Sequence, residues 1–67
     1  YKVVAGEYNT KDEAIIDLIE AKKTVADSTI IISGNKYFID CGTFPNKENA
    51  EILKNTINTK KTKIISL

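Results

Sequence analysis

The chemically capable side chains of this 67-residue chain are one cysteine, Cys41, the serines Ser28, Ser33 and Ser66, and carboxylates that fall close together, Asp12 with Glu13 and Asp17 with Glu20. A hydroxyl or thiol nucleophile needs an activating neighbour. The chain has no histidine, the commonest general base, and Ser28, Ser33 and Ser66 have no obvious activating partner. Paired carboxylates can divide acid and base work, but these lie on a predicted helix, where solvated charge is ordinary. Cys41 falls on the apolar side of a predicted strand, where a free cysteine acts as a small hydrophobe. Without a second cysteine or a histidine it forms neither an internal disulfide nor a zinc site. Gly6 and Gly42 precede helix starts, where phosphate can bind, yet a tight strand-to-helix turn accounts for both. The sequence points away from catalysis, metals and other cofactors, and toward binding.

Composition narrows the class further. Sixty-seven residues with 42% hydrophobic content make one small globular domain, whose thin core buries only about 60% of the surface of the unfolded chain. Ten lysines against nine acids leave a net charge of +1, and arginine is absent. That is not the basic footprint of a nucleic-acid binder. No apolar run reaches the roughly 20 residues that span a bilayer, so direct membrane insertion is not expected. The chain is read as a module of a longer protein.

The elements that position these residues come in two copies. A shift of 36 places Tyr1 on Tyr37, Gly6 on Gly42, Tyr8 on Phe44, Lys11 on Lys47, Ala14 on Ala50 and Ile16 on Ile52. The repeats cover about 1–33 and 36–67 of a single domain spanning 1–67. Residues 1–5 alternate as a strand that Gly6 ends. Thr10, Lys11, Asp12 and Glu13 have the form of a capping box. Over 11–24, the residues Ala14, Ile15, Leu18, Ile19, Ala21 and Val25 form a buried helical stripe. Residues 29–33 are a second strand, and Gly34 with Asn35 make a two-residue hairpin loop. The hairpin pairs Ser33 with Lys36, Ile32 with Tyr37, Ile31 with Phe38, Ile30 with Ile39 and Thr29 with Asp40. Gly42 ends the third strand. Asn46 caps a second helix that buries Ala50, Leu53 and Ile57 and ends near Asn58, where Lys60 and Lys61 suit its negative end. Residues 64–67 close the chain as a fourth strand with Ile65 and Leu67 inward. The order β-α-β-β-α-β predicts an α+β, ferredoxin-like (split βαβ) fold. Its antiparallel sheet has four strands, the first and third central, and both helices cover one face.

Such a sheet leaves its other face open. Val3, Ala5, Ile30, Ile32, Tyr37, Ile39 and Cys41 fall on the core side. Lys2, Val4, Phe38 and Asp40 centre the open side, with Thr29, Ile31 and Ser33 beside them. Val4, Ile31 and Phe38 are expected as an exposed apolar strip, a feature that tends to mark a contact site.

The motifs Tyr-x-Val-x-Ala-Gly-x-Tyr at 1–8 and Tyr-x-Ile-x-Cys-Gly-x-Phe at 37–44 are each followed by a polar cap and Lys-x-x-Ala. The pair resembles the SPOR (sporulation-related repeat) domain over essentially the whole chain. The resemblance implies the same βαββαβ fold. It also implies a non-catalytic module of a bacterial cell-envelope or extracellular cell-wall protein. Such a module binds peptidoglycan glycan strands stripped of their stem peptides, and so targets an attached hydrolase or division protein. Glycan contacts would then come from Lys2, Val4, Glu7 and Thr29, with Ile31, Ser33, Phe38 and Asp40. Three of these depart from the family pattern. Val4 stands where a glutamine is usual, Glu7 where a small residue is, and Asp40 where arginine or glutamine is common. Each lost hydrogen bond costs about 0.5–1.5 kcal/mol. Phe38 can compensate by stacking on a sugar ring, while Thr29, Ser33 and Lys2 offer hydrogen bonds. The module is expected to be monomeric or weakly dimeric; the alternative is a protein-interaction or dimerisation module of the same fold that has lost glycan binding.

Overall fold

The structure, a computed structural model, describes residues 1–57 and 61–66. It contains β1 (Lys2–Tyr8), α1 (Lys11–Lys22), β2 (Thr29–Ser33), β3 (Lys36–Thr43), α2 (Lys47–Thr56) and β4 (Thr62–Ile65). The strands form one sheet in the order β2-β3-β1-β4, and every neighbouring pair is antiparallel. The first and third strands are central, as the sequence predicts. Ala14 and Ala21 of α1 and Ala50 of α2 join one core with Val3, Ala5, Ile39 and Cys41 of the sheet. Both helices therefore cover the same face in an α+β, ferredoxin-like arrangement. Alanines at the helix–sheet contact let the helices ride close to the strands.

Local sequence explains the ends of the elements. Thr10 accepts a hydrogen bond from the Glu13 amide at 3.2 Å, and Asn46 accepts one from the Asn49 amide at 2.9 Å. Each satisfies a helix amide that has no partner within its own helix. The β2–β3 hairpin has the five residue pairs expected from its two-residue loop. Gly34, at φ +63, supplies the positive φ that the turn requires.

The central strands depart from the sequence reading. Gly6 and Gly42 do not end their strands, because β1 runs on to Tyr8 and β3 to Thr43. Each glycine instead belongs to a β-bulge. Ala5 faces Ile39 and Tyr8 faces Tyr37, so Gly6 and Glu7 together oppose Phe38 alone. Val4 faces Asp40 and Lys2 faces Thr43, so Cys41 and Gly42 oppose Val3 alone. A strict two-residue alternation from Val4 would place Tyr8 on the open face. The extra residue turns it inward, where it is 2% exposed and its hydroxyl donates to Asp17 Oδ2 at 2.6 Å.

Three further expectations change. Val3 pairs with Ile64, so Ile64 packs on the core, whereas Ile65 faces Lys2 on the open side and is 39% exposed. Leu67, like Asn58 and Lys60, lies outside the described residues. α2 stops at Thr56, and Ile57 turns extended to enter the core. Ile15 and Ile19 of the expected helical stripe are exposed, because Ala14, Leu18, Ala21 and Val25 already fill the side facing the sheet. Ile32 points to the helix side yet stays exposed, since it sits near the hairpin end of an edge strand.

Candidate functional site

The face of the sheet without helices is the candidate site. One row of residues crosses it from edge to edge: Thr29, Asp40, Val4 and Lys63, each facing the next on the neighbouring strand. Ile31 and Phe38 lie on one side of this row, Lys2 and Ile65 on the other. The structure thus gathers Lys2, Val4, Thr29, Ile31, Phe38 and Asp40 on one surface. Ser33 sits at the hairpin end of β2, and Glu7 is exposed within the β1 bulge. Glu7 offers its carbonyl to Lys61 Nζ at 3.0 Å.

Val4 is not part of an exposed strip. It is 2% exposed, as buried as the core, and forms the floor of the surface. Two contacts frame it. On one side, Lys2 Nζ lies 3.1 Å from Asp40 Oδ2. On the other, the Phe38 ring fills the space that a side chain at Gly6 would occupy, and Lys63 Nζ stands 5.7 Å from the ring centre. The repeat relates the two halves. The shift of 36 carries Lys2 onto Phe38 and Val4 onto Asp40, so a polar pair and an apolar pair occupy equivalent places.

Phe38 is half-buried rather than free, with part of its ring against Gly6. Asp40 is committed on both oxygens. Oδ2 meets Lys2, and Oδ1 accepts the Gly42 amide at 3.0 Å, which locks the second bulge. Replacing Asp40 by alanine should cost about 1–3 kcal/mol, because it strips the partner from a part-buried amide. Lys2→Ala should cost no more than about 1 kcal/mol, since the ion pair is partly solvated. Urea denaturation of the two variants separates these values, and equal losses would show that Asp40 acts only through its ion pair.

Lys63 was not singled out from sequence. Placing Ile65 inward also turns Lys63 inward, whereas a lysine at an alternating position marks the solvent side and would have set the register of β4 correctly. Lys61 donates to the Glu7 carbonyl and lies 4.6 Å from the centre of the Tyr8 ring. That role ties down the β1 bulge rather than capping α2.

Among the described residues, Cys41, Asp17 and Glu20 are engaged elsewhere in the fold. Cys41 is buried on the helix side. Burial pushes its thiol above the ordinary range, outweighing the opposite pull of the nearby Ser28 hydroxyl, and the Asp40 charge raises it a little further. It stays protonated and packs as an apolar group. Asp17 is engaged by Tyr8 and Glu20 by Lys23. Among the described residues no cluster of histidine, cysteine or carboxylates could hold a metal ion, and no helix is long and apolar enough to cross a membrane. A shallow groove of about 480 Å³, lined by Lys47, Glu51, Lys54, Asn55 and Ile64, lies between α2 and β4, away from the open face. In comparisons with known proteins, the chain matches no family model, no curated protein and no solved structure.

Proposed function

We propose that this domain is a non-catalytic module that binds the glycan strands of bacterial peptidoglycan through its open sheet face. Within a larger cell-envelope protein it targets an attached hydrolase or division protein to the wall. The observation that carries this reading is the doubled Tyr-to-aromatic motif, whose two glycines place bulges on the two central strands around one uncovered surface. On that surface Phe38 offers an apolar platform, and Thr29 and Lys2 lie on the same face as groups that can hydrogen-bond a sugar. An apolar plate with a few convergent polar groups suits a saccharide, which has both ring faces and hydroxyl edges. Lys63 adds a cation. Removing the stem peptide leaves a lactyl carboxylate on each muramic acid, and an exposed lysine beside the stacking ring recognises that anion.

The test is co-sedimentation with purified sacculi, before and after an amidase strips the stem peptides. Binding should rise on stripping. Lys63→Glu, an exposed change that leaves the core intact, should weaken binding to stripped sacculi roughly tenfold, equivalent to about 1.4 kcal/mol, and Phe38→Leu should weaken it in parallel. Binding that ignores stripping points to a different wall epitope. No binding to either preparation rejects the glycan reading. It favours a protein partner on the same face, a second reading that draws on the exposure of Ile31 beside Phe38 and of Ile65 on the other side of the row.

A further inference from the structure

β2 is an edge of the sheet, and the strand Thr29-Ile30-Ile31-Ile32-Ser33 carries no charge and no proline. Edge strands are ordinarily guarded by such residues, because an unguarded edge invites another strand. The opposite edge, β4, does carry Lys63. Ile32 is 68% exposed, among the most exposed apolar side chains of the domain. The flank of α1 opposite Asp17 carries Ile15 and Ile19. Asp17 binds Tyr8 of β1, so by helical geometry that opposite flank turns toward the β2 side of the sheet.

We infer that β2 pairs antiparallel with β2 of a second copy of this chain, about a twofold axis at Ile31, to form a weak dimer with one continuous sheet. The hairpin fixes which backbone groups are free. In a two-residue hairpin the residues flanking the loop, here Ser33 and Lys36, form a hydrogen-bonded pair. Alternation then makes Ile31 with Phe38, and Thr29 with Asp40, bonded pairs as well. The amides and carbonyls of Ile30 and Ile32 therefore point outward. In a pairing centred on Ile31, each Ile30 meets Ile32 of the second copy, so all of these outward groups are satisfied at once. The sequence agrees with the same axis. It reads Thr-Ile-Ile-Ile-Ser, so isoleucine meets isoleucine and Thr29 meets the Ser33 hydroxyl across the axis. The two Ile31 side chains meet as a non-bonded pair with Cα atoms about 4.5 Å apart, the closest cross-strand spacing. Ile30, Ile32 and the Ile15–Ile19 flank meet on the helix side. A strand pair this short falls below the roughly 1,000 Å² of a stable interface unless the helix flank joins it, which is why the dimer is weak.

The test uses the whole chain in sedimentation equilibrium up to millimolar concentration, with amide hydrogen exchange measured on the same samples. The expected result is a monomer–dimer equilibrium. Exchange at Ile30 and Ile32 should slow roughly tenfold where about a tenth of the chains remain unpaired. Exchange at Ile31, already bonded within the hairpin, should not change. Ile32→Lys should abolish the dimer with an unchanged circular-dichroism spectrum, and Lys63→Glu should leave the dimer intact. A chain that stays monomeric throughout overturns the inference, as does a dimer that survives Ile32→Lys or leaves the Ile30 and Ile32 amides unslowed. None of these outcomes depends on whether the open face binds glycan.

Discussion

A Gly6→Ala chain will lose most of its folding stability. A Cβ at that position would lie 2.4 Å from Phe38 Cδ1, with Cε1 and Cγ at 3.1 and 3.2 Å. The φ of +153 is also one that residues with side chains rarely adopt. Forcing extra carbon into packed space costs about 1–3 kcal/mol, and holding a non-glycine residue in such a backbone region costs about 1–3 kcal/mol more. A domain of this length holds roughly 3–10 kcal/mol in total. Urea denaturation should show a midpoint shifted far down or no folded baseline at all. Separating the two causes requires a double-mutant cycle. Phe38→Ala removes the ring that a new methyl would strike, so in that background Gly6→Ala should be less damaging by about 1–3 kcal/mol. Equal damage in both backgrounds would mean that the ring is not what excludes a side chain.

Ile39→Ala is expected to be comparably severe, at about 2–5 kcal/mol. Ile39 is fully buried, pairs with Ala5 on one side and Ile30 on the other, and lies in the core with the helix alanines. Because much of that core is alanine, few large side chains can close over the cavity. Ile32→Ala makes the same chemical change on the same side of the neighbouring strand, but at a residue 68% exposed. It should move stability by less than about 0.5 kcal/mol at concentrations where the chain is monomeric. Thermal or urea unfolding of the pair would refute this account of the core if the two losses came out alike.

The strand order, the helix caps and the hairpin register were legible in the sequence because each rests on local chemistry. Thr10 and Asn46 declare helix starts, and a two-residue loop after Ser33 leaves only one pairing for Ile30 and Ile32. The two repeats made the central placement of the first and third strands readable as well. The bulges were not legible. A glycine at position 6 reads equally as a strand end or as an extra residue within a strand, and only the inward position of Tyr8 distinguishes them. That ambiguity spread to the candidate site. Alternation places Val4 on the open face, but it cannot show that a residue on a central strand, between Asp40 and Lys63, is 2% exposed there. The register of β4 failed for a simpler reason. Its apolar residues Ile64 and Ile65 are adjacent, and the deciding signal was the neighbouring lysine.

The pairing of β1 with β4 also governs how the domain bears force. Lys2 lies opposite Ile65, and the two strands run antiparallel from there to Ala5 and Thr62. The chain therefore enters and leaves at the same end of the sheet. Tension applied between these two points does not load the ladder in shear, where its bonds would resist together. It peels β4 from β1 one bond at a time, beginning at Ile65. Such a domain yields at low load, and it yields in a set order. β4 detaches first, while β1, β3 and the β2 hairpin remain joined by their own ladder.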